Sequence, residues 1–380
     1  MLSEPSYLAA RMVASTIESH FAKHLNEARK MGKRNLATQP PIHIIEAIID
    51  AAFWASLQRE EGHSPKISIA LLHPDQADRP LRFGRKLRLT PHNLNKLSPA
   101  VENPGIHLAV WNDGDDMYIW GTTHGIPHIC FVLEVIEPGL VVIKHSRVDG
   151  FGKFVNIAIL KGDKIKIVDE SNANTSGDFP DLMASLMGMP LPSYLSNSVN
   201  VWVELAASMR SHQRGGIVLV VPNNSDEWRK SIVKPISYPV EPPYTVVKEL
   251  VEQDHSHRNK LEWQERLLQG IEIIGGFTAV DGATVVTQDH ELLAFGAKIA
   301  RATDNTIEEI VVTEPTIDST ACRMHPAQNG GTRHLAAAQF VYDQHDAIAL
   351  VASQDGNFTI FAWNKKLEMV HAHRIDILLL

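Results

Sequence analysis

Two short stretches hold residue types suited to phosphate chemistry. The first is Asp281-Gly282-Ala283, within "AVDGATVVTQDHELLAFGAKI", which begins at Ala279. A carboxylate at a strand edge can hold a divalent cation and draw a proton from a hydroxyl nucleophile. A glycine beside it lets backbone approach a ligand closely. Asp-Gly between two apolar runs is also ordinary β-hairpin turn chemistry. The second stretch, "NGGTRHLAAAQF", begins at Asn329 and reads as the start of a helix with Thr332 as its cap. Free N–H groups at a helix start attract anions. Gly330 and Gly331 allow close approach, Thr332 adds a hydroxyl, and Arg333 offers a fork of donors. His334 adds a donor or a metal ligand. This is not a Walker loop, because no Gly-Lys-Ser/Thr follows.

The surrounding pattern shows what must position these residues. "GGIVLVVP", starting at Gly215, reads as a strand buried on both faces. Helices are expected over 198–211, 243–253 and 258–273, and strands over 277–286 and 291–299. A polar loop follows over 302–330, then a helix from Thr332 to about Gln344. "AIALVAS" and "FTIFAW" form a closing hairpin around Gln354-Asp355-Gly356-Asn357. The expected fold is α/β, a mixed sheet flanked by helices. The first part differs: two helices, over 5–31 and 41–59, precede short β-rich runs from "KISIALL" to "KIKIVD". That is an α+β domain with a largely antiparallel sheet. The polar stretch "ESNANTSGDFPD" is the best linker, giving domains 1–172 and 178–380.

Composition narrows the function. The chain has 380 residues, too many for one small core, with 44% hydrophobic and 21% charged residues, as in ordinary globular proteins. A formal net charge of -8 argues against broad binding to duplex nucleic acid. Two cysteines, Cys130 and Cys322, supply neither a disulfide framework nor a zinc set. A reducing cytoplasm is the expected location. The N-terminus reads as no signal peptide. The apolar run "IHIIEAIIDAAFWA" is broken by Glu46 and Asp50 and is shorter than the ~20 residues a membrane span needs.

Other histidines and acids give weaker signals. "DHSHR" and "VHAHR" place histidines two apart, so His371 and His373 would share one face of a strand, with no third ligand evident. "NDGDD" at Asn112 resembles part of a calcium loop but lacks the later Glu, and reads as a charged hairpin tip. Trp111 and Trp120 beside it read as core.

"DGA" followed by "GTRH-x-AA" resembles the diadenylate cyclase domain, which makes cyclic di-AMP from two ATP. "GGIVLVV" upstream and "LVASQDG" downstream fit its order. The resemblance covers roughly residues 195–365. It implies that Asp281 is the metal ligand and the activator of the ribose 3'-hydroxyl. Gly282 and Ala283 would line ribose and phosphate; Gly331, Thr332, Arg333 and His334 would grip the triphosphate, His334 also serving as a metal ligand. Ser353 would sit near the phosphates, and Gly296, Ala297 and Lys298 where the family holds adenine. It further implies Mg²⁺ or Mn²⁺, ATP as substrate, pyrophosphate release, and an active site shared between two copies of the chain. Leu335 stands where the family usually has a second arginine, and Gln354-Asp355 replaces an acidic pair. The first half resembles the assorted sensor domains fused to some of these cyclases, with an unknown ligand. Two alternatives stay open: a cyclase-like nucleotide-binding sensor without turnover, and a nucleotidyltransferase making another dinucleotide.

Overall fold

The computed structural model describes residues 5–59, 62–78, 80–114, 116–148, 154–169, 193–253, 261–302, 304–317 and 319–379. The chain divides into two units, Met1–Val168 and Asp169–Leu379. The linker expected at residues 170–181 and the "DHSHR" histidines lie outside the described residues.

The N-terminal unit opens with helices α1 (Leu8–Lys30) and α2 (Ile42–Ser56). In α1 the apolar residues Val13, Ile17, Phe21 and Leu25 recur every four positions and are all buried. That spacing forms one stripe, which must be covered. It packs against α2 and one face of an eight-stranded sheet, where Ile69, Leu133 and Ile143 point. Each such side chain contributes about 1.5–3 kcal/mol on burial. The strands are β1 (Ile67–Leu71), β2 (Leu81–Arg88), β3 (His107–Asp113), β4 (Asp116–Thr123), β5 (Phe131–Glu137), β6 (Leu140–Ser146), β7 (Phe154–Lys161) and β8 (Lys164–Ile167). Their order is β2-β4-β3-β1-β5-β6-β7-β8, and β1 with β3 is the parallel pair. A smaller cluster of Ala70, Leu72, Trp120, Cys130 and Val132 fills the other face.

Two elements here have no apolar signature in the sequence. Strand β2 is an edge strand without a fully buried residue, so nothing in it alternates. Helix α3 (Pro91–Leu97) starts at Thr90, whose hydroxyl accepts from the Asn93 amide at 3.2 Å. "NDGDD" is the expected hairpin tip, with Gly114 at φ +63°. Lys86 pairs with Asp113 there at 2.6 Å and Arg88 with Asp116 at 3.2 Å. Trp120 is core and donates its indole N–H to the Leu72 carbonyl at 3.1 Å.

The C-terminal unit holds a nine-stranded mixed sheet. Its strands are β9 (Gly216–Val221), β10 (Tyr238–Tyr244), β11 (Ala283–Thr287), β12 (Leu292–Ala297), β13 (Ile310–Thr313), β14 (Cys322–Met324), β15 (Ile348–Ala352), β16 (Phe358–Asn364) and β17 (Met369–Arg374). The order is β10-β12-β11-β9-β15-β16-β17-β13-β14. Strand β9 runs parallel to β11 and antiparallel to β15, and all of its residues are buried. The helices are α4 (Ser193–Ser211), α5 (Val246–Glu252), α6 (Leu261–Phe277), α7 (Pro326–Asn329) and α8 (Thr332–Asp343). Alternation along the strands separates two faces. Ile217, Leu219, Ala349 and Val351 join a core with Ala337, Phe340 and Val341 of α8. Leu350 and Ile360 face the other way, toward Trp202 and Ala206 of α4. The result is a sheet with helices on both sides, the expected mixed architecture.

Three sequence expectations change. Helix α6 continues to Phe277 and β11 begins only at Ala283, so Asp281-Gly282 is not a hairpin turn between strands. It belongs to a helix-to-strand connection; the β11–β12 hairpin turns over residues 288–291 instead. The span 302–330 is not all loop, since "IVVT" forms β13, parallel to β17. Helix α8 takes Gly331 as its N-cap, so Thr332 is the first helical residue rather than the cap. No helix among the described residues is long and apolar enough to cross a membrane.

Candidate functional site

Strand register brings the chemistry-bearing residues to one end of the C-terminal sheet. Ala283 faces Ile217 of β9 on one side and Ala297 of β12 on the other. Ala352 faces Gly216, Phe358 faces Ala352, and Thr359 faces Arg374. Asp281 and Gly282 just before β11 therefore share an end with Gly215 before β9. Gly296, Ala297, Lys298 and Ser353 lie at the same end, at the finish of β12 and β15. Neighbouring strands lie about 4.8 Å apart, so the Asp281 and Ser353 segments flank the start of β9 at one strand spacing each.

Glycines allow these segments to pack. Gly282 has φ +108°, and a β-carbon there would stand 2.5 Å from the Gly296 carbonyl carbon. Gly215 has φ +70°, and a β-carbon there would lie 2.9 Å from Arg333 Nη1 and 3.1 Å from the Ala352 carbonyl oxygen. The Arg333 guanidinium thus rests over the first turn of β9, tying the start of α8 to the centre of the sheet end.

Helix α8 starts without a side-chain cap: Gly331 is extended at φ -74°, ψ -162°, and no side chain closes over the first amides. Thr332 is exposed and Arg333 half-buried at that start, on an exposed Gly331. His334 turns inward. It is buried, its Nε2 lies 3.3 Å from the Thr359 hydroxyl, and a β-carbon at Gly330 would sit 2.3 Å from its Nδ1. Burial, then the charges of Arg374 and Arg333, lower its pKa to about 4, so the ring is neutral near pH 7. Through Nε2, His334 anchors the helix start to β16, while its Nδ1 lies against Gly330. Leu335, at the position of the family's second arginine, packs against the core.

Asp281 is exposed, as is Lys298, while Ala283, Gly296 and Ala297 are buried. Among the described residues Asp281 belongs to no group of three or more potential metal ligands. Ser353 closes its own turn: its amide donates to the Asn357 carbonyl at 2.9 Å and its hydroxyl accepts from the Asn357 amide at 3.1 Å. Gln354 reaches the Arg214 carbonyl at 3.4 Å.

Several contributors carry no motif in the sequence. Tyr238 stacks on Phe295 at 4.9 Å between centroids, and its ring would meet a β-carbon at Gly296 at 2.8 Å. It is 51% exposed, which leaves an aromatic surface beside Gly296. Arg374 donates to Asn329 Oδ1 at 2.8 Å and pairs with Glu314 at 3.6 Å, which holds the residue before the double glycine. His371 and His373 share a face as expected, with ring centroids 3.8 Å apart, and His371 Nε2 and His373 Nδ1 meet the Thr313 hydroxyl at 3.0 and 3.2 Å.

Residues 34–124 match a family model described as probable sensor domain DACNV. A search of curated proteins finds no match. The matched span runs from the segment after α1 through β4, so the N-terminal unit carries a sensor-like domain.

Proposed function

We propose that the C-terminal unit is a diadenylate cyclase that condenses two ATP into cyclic di-AMP and releases pyrophosphate. The observation that carries this reading is the shared sheet end: strand register brings Asp281-Gly282, Gly296 to Lys298 and Ser353 together, and Arg333 over Gly215 brings the uncapped start of α8 to them. The N-terminal match adds support, because that sensor family is found in diadenylate cyclases.

In this reading Thr332, Arg333 and the free amides of α8 hold the triphosphate. Lys298 and the Tyr238 face border the base. Asp281 accepts the proton of the ribose 3'-hydroxyl, whose oxygen attacks the α-phosphate of the second ATP; the P–O bond to pyrophosphate breaks in line. A single exposed carboxylate suits a hard cation that keeps waters and takes its remaining ligands from phosphate oxygens. Mg²⁺ or Mn²⁺ at Asp281 would supply charge neutralisation at the α-phosphate. One domain presents one nucleophile, while the ring needs two bonds, so two copies face each other across a twofold axis. The N-terminal unit modulates this activity. Incubating the purified protein with ATP and Mn²⁺ and identifying products by mass tests the reading. Cyclic di-AMP is expected. A linear or mixed dinucleotide would favour the rival transferase, and ATP binding without product would favour a nucleotide sensor.

A further inference from the structure

The N-terminal unit holds a histidine cluster that the nucleotide chemistry does not use. His20 and His24 lie four residues apart on α1, and so on one face of the helix. They meet His145 of β6. The ring centroids are 4.3 Å apart for His20 and His24, and 5.3 Å from each of these to His145. One nitrogen from each ring lies within 4.8 Å of the others.

The tautomer of His145 is settled by its neighbour. Its Nδ1 lies 2.9 Å from the Ser146 carbonyl oxygen, which only accepts, so Nδ1 carries the hydrogen. The lone pair is then on Nε2, which is buried and has no hydrogen-bond partner, in a residue 3% exposed. A buried acceptor without a partner is costly, because its desolvation is not repaid. A backbone carbonyl behind one nitrogen and an open lone pair on the other is the usual setting of a metal-bound imidazole. Burial, the two other imidazoles and Arg147 keep His145 neutral, with its pKa lowered to about 3. Glu27 Oε2 stands 4.0 Å from His24 Nδ1, placing a carboxylate behind a second ring.

We propose that His20, His24 and His145 bind one divalent transition ion of the Zn²⁺ class, with a fourth position open to water or an added ligand. Zinc–nitrogen bonds of about 2.0–2.1 Å in a tetrahedron require nitrogens about 3.3 Å apart. Rings on two separate elements close from 4.8 Å by moving less than about 1 Å each. Three imidazole nitrogens disfavour Mg²⁺, which takes oxygen ligands, so this site is chemically distinct from the one at Asp281. His20 is half-buried.

The test titrates the chelator-stripped full chain with Zn²⁺ against a chromophoric competitor, and with Co²⁺ by visible absorption. One equivalent is expected, unaffected by excess Mg²⁺, with the bands of a four-coordinate nitrogen site. Loss of a supporting residue costs 10–100-fold in metal affinity, so removal of a ligand by His24→Gln or His145→Gln should cost at least about a hundredfold. His371→Gln, in the other unit, should keep the site. If circular dichroism shows His145→Gln unfolded, His20→Asn carries the test, because that ring is half-buried on a helix surface. The proposal is overturned if the wild-type chain takes up no equivalent, or if folded His20 and His24 variants bind as tightly as wild type.

Discussion

Replacing Gly215 with alanine should weaken ATP binding through Arg333, although Gly215 belongs to neither sequence motif. Two costs follow from the structure. At φ +70° an alanine sits in left-handed space, which costs about 1–2 kcal/mol of stability. Its methyl would also lie 2.9 Å from Arg333 Nη1, so the guanidinium must leave its seat. A charge-assisted bond to phosphate is worth about 1.5–3 kcal/mol, and each 1.4 kcal/mol is tenfold in affinity. Displacing the fork should therefore raise the Kd for ATP about tenfold to a hundredfold. Gly162→Ala is the control: φ is +59° and nothing lies within 4 Å of its β-carbon, so it carries the backbone cost alone. The assay is equilibrium ATP titration of wild type, Gly215→Ala, Arg333→Ala, the double variant and the control, each checked for folding. If Gly215 acts through Arg333, the substitution should add less than about 0.5 kcal/mol once Arg333 is alanine. Full additivity, or a Gly215→Ala variant that binds ATP like the control, would refute the reasoning. Wild type that binds no ATP would refute the nucleotide site itself.

The remaining predictions concern chemistry, assembly and pH. Asp281→Asn keeps shape and removes charge; it should abolish product formation while ATP binds within about tenfold, or about 1.4 kcal/mol, of wild type. Normal turnover in that variant would reduce Asp281 to part of the connection between α6 and β11. Specific activity should rise with protein concentration until dimers saturate, and constant activity on dilution of a proven monomer would contradict the shared site. His334 has a folded pKa of about 4 against an ordinary 6.5, so the unfolded chain takes the proton first. Stability of the C-terminal unit should be complete above pH 6.5 and fall as pH drops toward 4, by at most about 3 kcal/mol from this group. His334→Gln should flatten that part of a denaturation-versus-pH curve; an unchanged slope would place the acid sensitivity elsewhere.

Helices α1, α2 and α8 and the strands with continuous or alternating apolar runs were legible in the sequence. Their periodicity reports directly which face must be buried. The helix behind the glycine pair was legible, but its cap was not: Thr332 was the expected cap, and Gly331 takes that place with no side-chain bond. Edge strand β2 and strand β13 were not legible, since an exposed edge has no buried face to alternate and four residues are too few to show a period. Asp281-Gly282 could not be told from a hairpin turn, because turn residues specify local φ, ψ and not which elements they join. Tertiary structure alone decided the rest. Register along β9, β11, β12 and β15 set which motifs share a sheet end. Close packing seated Arg333 on Gly215 and brought His334 against Thr359. Residues more than a hundred positions apart, His20 and His24 with His145, came together only because α1 lies over the sheet that contains β6. Local pattern carries the elements; long-range contacts, absent from any short window of sequence, carry the sites.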